Sequence, residues 1–182
     1  IGVEGNDAAT PGTIDFQFDF SDGDVIGANG FFLLANQTAQ DTYQVTPNAT
    51  LTASLENSSA TYALVETASL TGGSVTGSET VIDTVALFDS SDSTAFVGAL
   101  VVGPDGTFFP AGVGRIEDGV DTDTAAGFEI LSFFNDTDTN TPTAGTAPDV
   151  VVINEVLAST TSSDSEYIEL FGTPGASLAG LS

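Results

Sequence analysis

The chain has 182 residues, of which 26 are acidic and one is basic, and its formal net charge is −25 at neutral pH. Phosphate binding requires clustered Lys or Arg side chains, so this charge argues against nucleic acid and anionic membranes as partners. The sequence contains no His, Cys or Lys, which removes Ser-His-Asp and Cys-His nucleophile systems, Schiff-base lysines and His- or Cys-ligated zinc. Carboxylate pairs, as in glycosidases, are the catalytic groups that remain, and no pair stands out in the sequence. We therefore expect a protein that is not an enzyme.

Hydrophobic residues make up 41 % of the sequence and include 13 Phe, which favours a folded chain over a disordered one. A chain of this length can bury roughly 70 % of its unfolded surface. Its longest apolar stretch, residues 95–102, is far too short to span a bilayer. We expect no membrane span.

The clearest predicted strand covers residues 14–20, where apolar side chains alternate with polar ones. Its apolar face carries Ile14, Phe16, Phe18 and Phe20. Further strands are predicted, between turn-forming clusters, at residues 30–35, 50–55, 60–66, 81–88, 95–102, 127–134, 150–157 and 167–171. Helical periodicity is almost absent. Some ten short strands at this spacing predict an all-β fold, an antiparallel sandwich or barrel.

The composition divides the chain into three parts. Residues 1–134 form the predicted body. Residues 135–149 are rich in Thr, Asp and Pro, a composition typical of a linker. Residues 150–182 are again strongly apolar and contain the last two predicted strands. This final segment completes either its own module or that of a neighbouring copy.

The end of the chain carries the most specific motifs. Residues 150–157 read VVVINEVL, residues 164–171 read DSEYIELF, and residues 178–182 read LAGLS. This order resembles the opening strands of a lamin-tail-type domain of prokaryotic surface proteins. In that family, the segment that follows resembles residues 1–34 of this chain, which include the GFFLL sequence of residues 30–34.

Weaker matches to the same family extend over most of the chain. They lie at residues 31–36, 81–86, 114–123 and 141–145. The resemblance implies an immunoglobulin-like antiparallel β-sandwich at the cell surface or outside the cell, with a structural or binding role and no catalytic residues. The order of the motifs is rotated relative to the family, and residues 67–80 form a longer insertion than a minimal module needs.

The rotated order suggests a structural subunit of an extracellular filament or surface fibre. In this hypothesis, residues 150–182 of each copy add strands to the next copy, and copies assemble head to tail. The predicted interface residues are Val150, Val152, Ile153, Val156, Tyr167, Ile168, Leu170 and Phe171. One repeat of a longer tandem chain, or a permuted domain that closes on itself, would have the same order. The alternative function is a calcium-dependent adhesion or accessory binding module of a larger secreted protein.

Calcium is the metal that this chain is best equipped to bind, because Ca²⁺ takes six to eight oxygen ligands. The densest candidate cluster consists of Asp118, Asp121, Asp123 and Glu129. The alternative interpretation is that such Asp residues form turns and cap their own backbone. Given the net charge, we expect at least one bound cation, Ca²⁺ being the possible cofactor, at this cluster or at another one.

Arg115 is the only basic residue. We expect it to make a structural ion pair with Glu117, Asp118 or Glu155. The polar pair Asn154–Glu155 interrupts an apolar strand and needs hydrogen-bond partners if that strand is buried. We expect this pair to tie the strand to a loop or to Arg115.

Four N-glycosylation sequons occur in the sequence. They begin at Asn36, Asn48, Asn57 and Asn135. A chain this rich in Asn, Ser and Thr also produces such triplets by chance. The sequons matter only if the source of the protein glycosylates them.

Overall fold

We describe the protein from a computed structural model, which describes residues 1–5, 9–89, 94–135, 140, 151–161 and 164–182. The fold is an all-β sandwich of two packed sheets, which confirms the predicted fold class. The five-stranded sheet has the order β2 (Ile14–Phe16), β1 (Gly2–Glu4), β5 (Ala60–Val65), β6 (Val81–Leu87) and β7 (Leu100–Val102). The six-stranded sheet has the order β4 (Ala49–Thr50), β3 (Phe31–Ala35), β11 (Tyr167–Phe171), β10 (Val152–Leu157), β8 (Gly112–Arg115) and β9 (Phe128–Ile130).

The two sheets are mixed, whereas the sequence suggested purely antiparallel ones. Strands β3 and β4 pair in parallel, and so do β6 and β7. A parallel pair needs a crossover connection between its strands. Helix α1 (Gln37–Tyr43) lies in the connection between β3 and β4. The Asn36 side chain caps this helix by accepting a hydrogen bond from the Ala39 amide at 2.8 Å.

Several strands are shorter than the apolar pattern suggested. The predicted strand 14–20 pairs only at Ile14–Phe16, yet its alternation still directs Phe18 and Phe20 onto the core. The Phe20 ring meets Phe32 edge-on, with ring centroids 5.4 Å apart. The predicted strands 50–55, 95–102 and 127–134 likewise pair over two or three residues each. The sequence does not predict β8, because two of its four residues are glycines and its apolar pattern is therefore weak.

The main core lies between the two sheets. Strand β5 is buried along its whole length, as expected for a strand with a neighbour on each side. Its Tyr62 and Leu64 side chains pack in one cluster with Phe32 and Leu34 from the opposite sheet. Residues from the C-terminal segment belong to the same cluster: Ile153, Val156, Ala158, Leu170 and Leu178. The core therefore combines the predicted body with the segment that follows the predicted linker.

Candidate functional site: the C-terminal strand pair

Strands β10 and β11 occupy the centre of the six-stranded sheet. Strand β11 pairs with β3 over five residues, from Tyr167 opposite Ala35 to Phe171 opposite Phe31. Strand β10 pairs with β8, where Val156 faces Val113, and the two C-terminal strands pair with each other. Removing them would leave two separate strand pairs, β4–β3 and β8–β9, without a sheet between them.

The predicted interface residues are core residues of this sandwich. Ile168 is partly buried against the main core, and Val150 lies outside the described residues. The remaining six are at most 3 % exposed: Val152, Ile153, Val156, Tyr167, Leu170 and Phe171. The Phe171 ring also packs against Phe31, with ring centroids 4.5 Å apart and the ring planes tilted by 59°. These side chains therefore form the contact between the C-terminal segment and the body.

Strand β10 approaches β8 closely enough that glycine is required at one position. A Cβ atom on Gly112 would lie 2.2 Å from the Val156 carbonyl oxygen and 2.7 Å from the Leu157 Cα. Both atoms belong to the backbone, so neither can move without disturbing the sheet. Sequence patterns gave no indication of this contact, because it depends on two segments more than 40 positions apart.

The polar pair in β10 has the partners that its burial requires. The ladder between β10 and β11 is irregular between Ile153 and Glu155. Within that irregularity, the Asn154 Oδ1 accepts from the Gly119 amide at 2.9 Å, and its Nδ2 donates to Glu169 Oε1 at 2.9 Å. Glu155 Oε2 accepts from the Tyr167 hydroxyl at 3.0 Å. Asn154 therefore links β10 to a loop of the body, as the sequence suggested.

Arg115 joins the two sheets. Its Nη2 lies 2.8 Å from Asp83 Oδ2 on β6, and its Nη1 lies 3.3 Å from Asp121 Oδ1. Its Nε donates to the Ile153 carbonyl of β10 at 2.8 Å, and its guanidinium stacks on Phe128 at 4.7 Å from the ring centroid. The ion-pair partners are Asp83 and Asp121 in place of the expected Glu117, Asp118 and Glu155. The pair with Asp83 forms because the two sheets pack against each other at this point.

Asp83 binds both Arg115 and the C-terminal segment. Its Oδ2 accepts from the Ile153 amide at 2.6 Å. Burial raises the pKa of Asp83 above its ordinary value, and the Arg115 guanidinium opposes that shift. The Asp83 carboxylate therefore depends on the Arg115 guanidinium to stay charged while buried. The same carboxylate holds β10 against the five-stranded sheet.

The four predicted calcium ligands lie around the loop between β8 and β9. Asp121, Asp123 and Glu129 are exposed, and Asp118 is half-buried. Asp121 Oδ1 accepts from the Asp123 amide at 3.1 Å, which is turn-capping behaviour. Within the described ranges, the one group of three carboxylates whose oxygens come within 4.8 Å of one another is Glu4, Asp15 and Glu56. Exposed acidic groups are common without a metal, so this trio does not establish a site.

One residue of the predicted linker is firmly part of the fold. Asn140 is fully buried, and its Oδ1 accepts from the Ser132 amide at 2.7 Å. The Tyr167 hydroxyl donates to the Asn140 carbonyl at 2.7 Å. Burial, followed by the nearby Glu155 carboxylate, raises the pKa of Tyr167 well above its ordinary value, so this hydroxyl stays protonated. Asn135 is also described, and residues 136–139 and 141–149 of the predicted linker lie outside the described residues.

The four sequon asparagines differ in how free their side-chain nitrogens are. The Asn36 Nδ2 donates to the Asp164 carbonyl at 2.9 Å and to Glu166 Oε2 at 3.2 Å. The Asn135 Nδ2 donates to the Thr161 carbonyl at 3.2 Å. Asn48 and Asn57 are exposed, and the Asn57 Nδ2 donates to Asp164 Oδ2 at 3.3 Å. A glycan at Asn36 would displace two hydrogen bonds to the C-terminal segment and a glycan at Asn57 would displace one, so Asn48 is better placed for a glycan.

Glu166, just before β11, is buried and hydrogen-bonded to the body. Its carboxylate is 1 % exposed and accepts from the Leu55 amide at 3.1 Å. Burial, with a further contribution from Asp164, raises the pKa of Glu166 to about 7. The Glu166 carboxyl thus ties the start of β11 to two segments of the body, through Leu55 and Asn36.

No known family model matches this chain, and neither a curated protein nor a solved structure matches it. The lamin-tail resemblance therefore stays a prediction. In the part of the chain that the structure describes, no helix is long and apolar enough to cross a membrane.

Proposed function

We propose that this protein is a structural subunit of an extracellular filament, and that residues 151–182 of one copy complete the sandwich of the next. The observation that supports this proposal is the position of β10 and β11. They are the central strands of the six-stranded sheet, yet they reach it through a connection, residues 141–150, that has the composition of a linker. A central strand pair delivered by a linker can be exchanged between copies without changing any contact of the fold.

The buried contacts are strong enough to hold two copies together. Full burial of an aliphatic or aromatic side chain contributes roughly 1.5–3 kcal/mol. The C-terminal segment buries at least six such side chains: Val152, Ile153, Val156, Leu157, Leu170 and Phe171. Their gross contribution of roughly 9–18 kcal/mol is comparable to the 4–15 kcal/mol that association costs. The ladders to β3 and β8 add main-chain hydrogen bonds to this sum.

The connection is also long enough for exchange. Ten extended residues span at most roughly 35 Å, which is comparable to the width of a domain of this size. Each copy would donate one segment and accept another. Reciprocal exchange between two copies would give a closed dimer, whereas donation from each copy to the next generates an open chain of subunits, and the proposal is for the second arrangement.

Engineered cysteines provide the test, since the chain contains none of its own. Val25 in the body and Ser177 in the C-terminal segment are bridge partners. The Ile26 amide donates to the Ala176 carbonyl and the Leu178 amide to the Asp24 carbonyl, each at 2.9 Å, so the two residues form a non-hydrogen-bonded pair. Such pairs have Cα atoms about 4.5 Å apart, which suits a disulfide. Val25 is 41 % exposed, and Ser177 is also exposed.

We expect the oxidised double variant Val25→Cys/Ser177→Cys to run as a ladder of dimers, trimers and longer species on a denaturing, non-reducing gel. Each single variant can form dimers at most and serves as the control. A double variant that oxidises fully but stays monomeric would place the C-terminal segment in its own body. The filament proposal would then fail in favour of a monomeric adhesion or accessory module.

A further inference from the structure

The Asn48 side chain is anchored to β3 through its amide oxygen. Its Oδ1 accepts from the Leu33 amide at 2.9 Å, and the Asn48 backbone amide donates to the Leu33 carbonyl at 2.8 Å. Asn48 is exposed, and its Nδ2 makes no hydrogen bond to any residue that the structure describes. This amide nitrogen is therefore accessible to a reagent while the amide oxygen stays bound to β3.

The hydroxyl that completes the Asn48 sequon is accessible as well. Thr50 is exposed and lies on β4, two residues after Asn48 along an extended part of the chain. Side chains two residues apart on an extended chain leave the same face. The Asn48 amide and the Thr50 hydroxyl are thus presented together to an approaching enzyme.

The other three sequons lack this combination, apart from the hydrogen bonds that already occupy their Nδ2 atoms. The Asn36 sequon continues into helix α1 instead of an extended segment. The Asn57 sequon ends at Ser59, which is fully buried and accepts from the Asp89 amide at 3.1 Å. The hydroxyl of the Asn135 sequon lies outside the described residues. The structure therefore separates one sequon from three others that the sequence alone does not distinguish.

The Asn48 sequon also lies at an open edge of the six-stranded sheet. Strand β4 is the end strand and pairs on one side only, with β3. Such an edge can add a strand from another molecule, and proteins protect edges with charged side chains, Pro or a covering group. The opposite end strand, β9, carries the exposed Glu129. Residues 48–55 contain neither a charged residue nor Pro, so this edge has no such protection from its own side chains.

We propose that Asn48 is an N-glycosylation site and that its sugar covers the open edge at β4. A glycan is bulky and strongly hydrated, so it blocks the approach of another strand. The proposal is independent of exchange between copies, because Asn48 and Thr50 both belong to the body of the sandwich.

The modification is the transfer of an oligosaccharide from a polyprenyl diphosphate, catalysed by an oligosaccharyltransferase. A bond forms between Asn48 Nδ2 and the anomeric carbon of the first sugar, while the bond from that carbon to the diphosphate oxygen breaks. The diphosphate leaves with the electron pair, and the proton lost by Nδ2 passes to the solvent. Asn48 Oδ1 keeps its hydrogen bond to the Leu33 amide, so the sugar is added without loss of a contact in the fold.

Mass spectrometry of the protein isolated from its natural source tests the site. Cleavage after acidic residues places the four sequon asparagines on different peptides, which are residues 25–41, 42–56, 57–66 and 130–136. We expect the added mass of a sugar on peptide 42–56, whereas the other three peptides should be unmodified and serve as internal controls. An unmodified peptide 42–56 would overturn the proposal, and so would equal modification of all four peptides.

Two substitutions at Thr50 separate the effect of the sugar from that of the fold. Thr50→Ser keeps the sequon, whereas Thr50→Val removes it and retains a β-branched side chain that suits a strand. Neither substitution removes a hydrogen bond between Asn48 and Leu33. Produced in the same source, Thr50→Val should lose the sugar mass, keep its melting temperature and associate side by side, and Thr50→Ser should match the native chain.

Sedimentation and electron micrographs of the two variants measure side-by-side association. The comparison holds whether single copies or filaments are the starting material, because the two variants differ only at residue 50. A Thr50→Val chain that still carries the sugar would overturn the sequon assignment. A chain that lacks the sugar but associates no more than Thr50→Ser would overturn the covering role.

Discussion

Glu166 couples the stability of the fold to pH. Its pKa is raised from 4.5 to about 7 in the folded protein, so the folded chain holds this proton after the unfolded chain has lost it. The stabilisation is complete below pH 4.5 and is lost as the pH rises through 7, which amounts to at most about 3 kcal/mol. The Glu166 carboxyl group joins the start of β11 to Leu55 and Asn36. The lost stabilisation therefore weakens the attachment of the C-terminal segment to the body.

The variant Glu166→Gln isolates this effect, because glutamine cannot ionise. We expect the native chain to lose up to about 3 kcal/mol of unfolding free energy relative to Glu166→Gln between pH 5 and pH 8. The variant is therefore favoured at pH 8. Denaturant titrations at four pH values measure it. The exposed Glu117→Gln controls for the lost charge. Parallel pH profiles would contradict the assignment.

At the scale of elements, the attachment of β10 to β8 depends on Gly112. The variant Gly112→Ala places a methyl group against the backbone of Val156 and Leu157, and overpacking of this kind costs about 3 kcal/mol or more when backbone must move. We expect a corresponding loss of stability in denaturant unfolding and, if copies exchange the C-terminal segment as proposed, shorter filaments in electron micrographs. Gly72→Ala, where a Cβ meets nothing within 4 Å, is the matched control. Equal stability of the two variants would show that β8 and β10 do not pair as described.

The elements also show how far sequence reasoning reaches. Alternating or continuous apolar runs predicted β3, β5, β6, β10 and β11, because strands buried in a sandwich must be apolar. The parallel edges, helix α1 and the glycine-rich β8 were missed, since each depends on which segment lies alongside it. The same limit applies to Arg115. The composition predicted that this single basic residue makes a structural ion pair, but its partner Asp83 lies on the other sheet and could not be predicted. Contacts between sheets leave little trace in local sequence.

At the scale of the whole molecule, the charge of −25 per copy opposes both folding and assembly. Repulsion between exposed charges is screened over about 10 Å at 0.1 M salt but reaches about 30 Å at 0.01 M. Stacking copies in a filament brings these charges closer together, so assembly should be more sensitive to salt than the fold of each sandwich is. Cations that associate with carboxylates relieve the repulsion more effectively than a diffuse ion atmosphere does.

We therefore expect dialysis from 0.5 M to 0.01 M NaCl to lower the melting temperature and, if copies assemble as proposed, to shorten the filaments. Calcium chloride should restore both at an ionic strength where NaCl does not, and a chelator should reverse the recovery. Melting curves and length distributions from electron micrographs measure the two effects on the same samples. Equal recovery with NaCl and CaCl₂ at matched ionic strength would mean that screening alone acts, and the expectation of a bound calcium ion would be withdrawn. Filaments insensitive to salt would instead require that the exposed carboxylates point away from the contacts between copies.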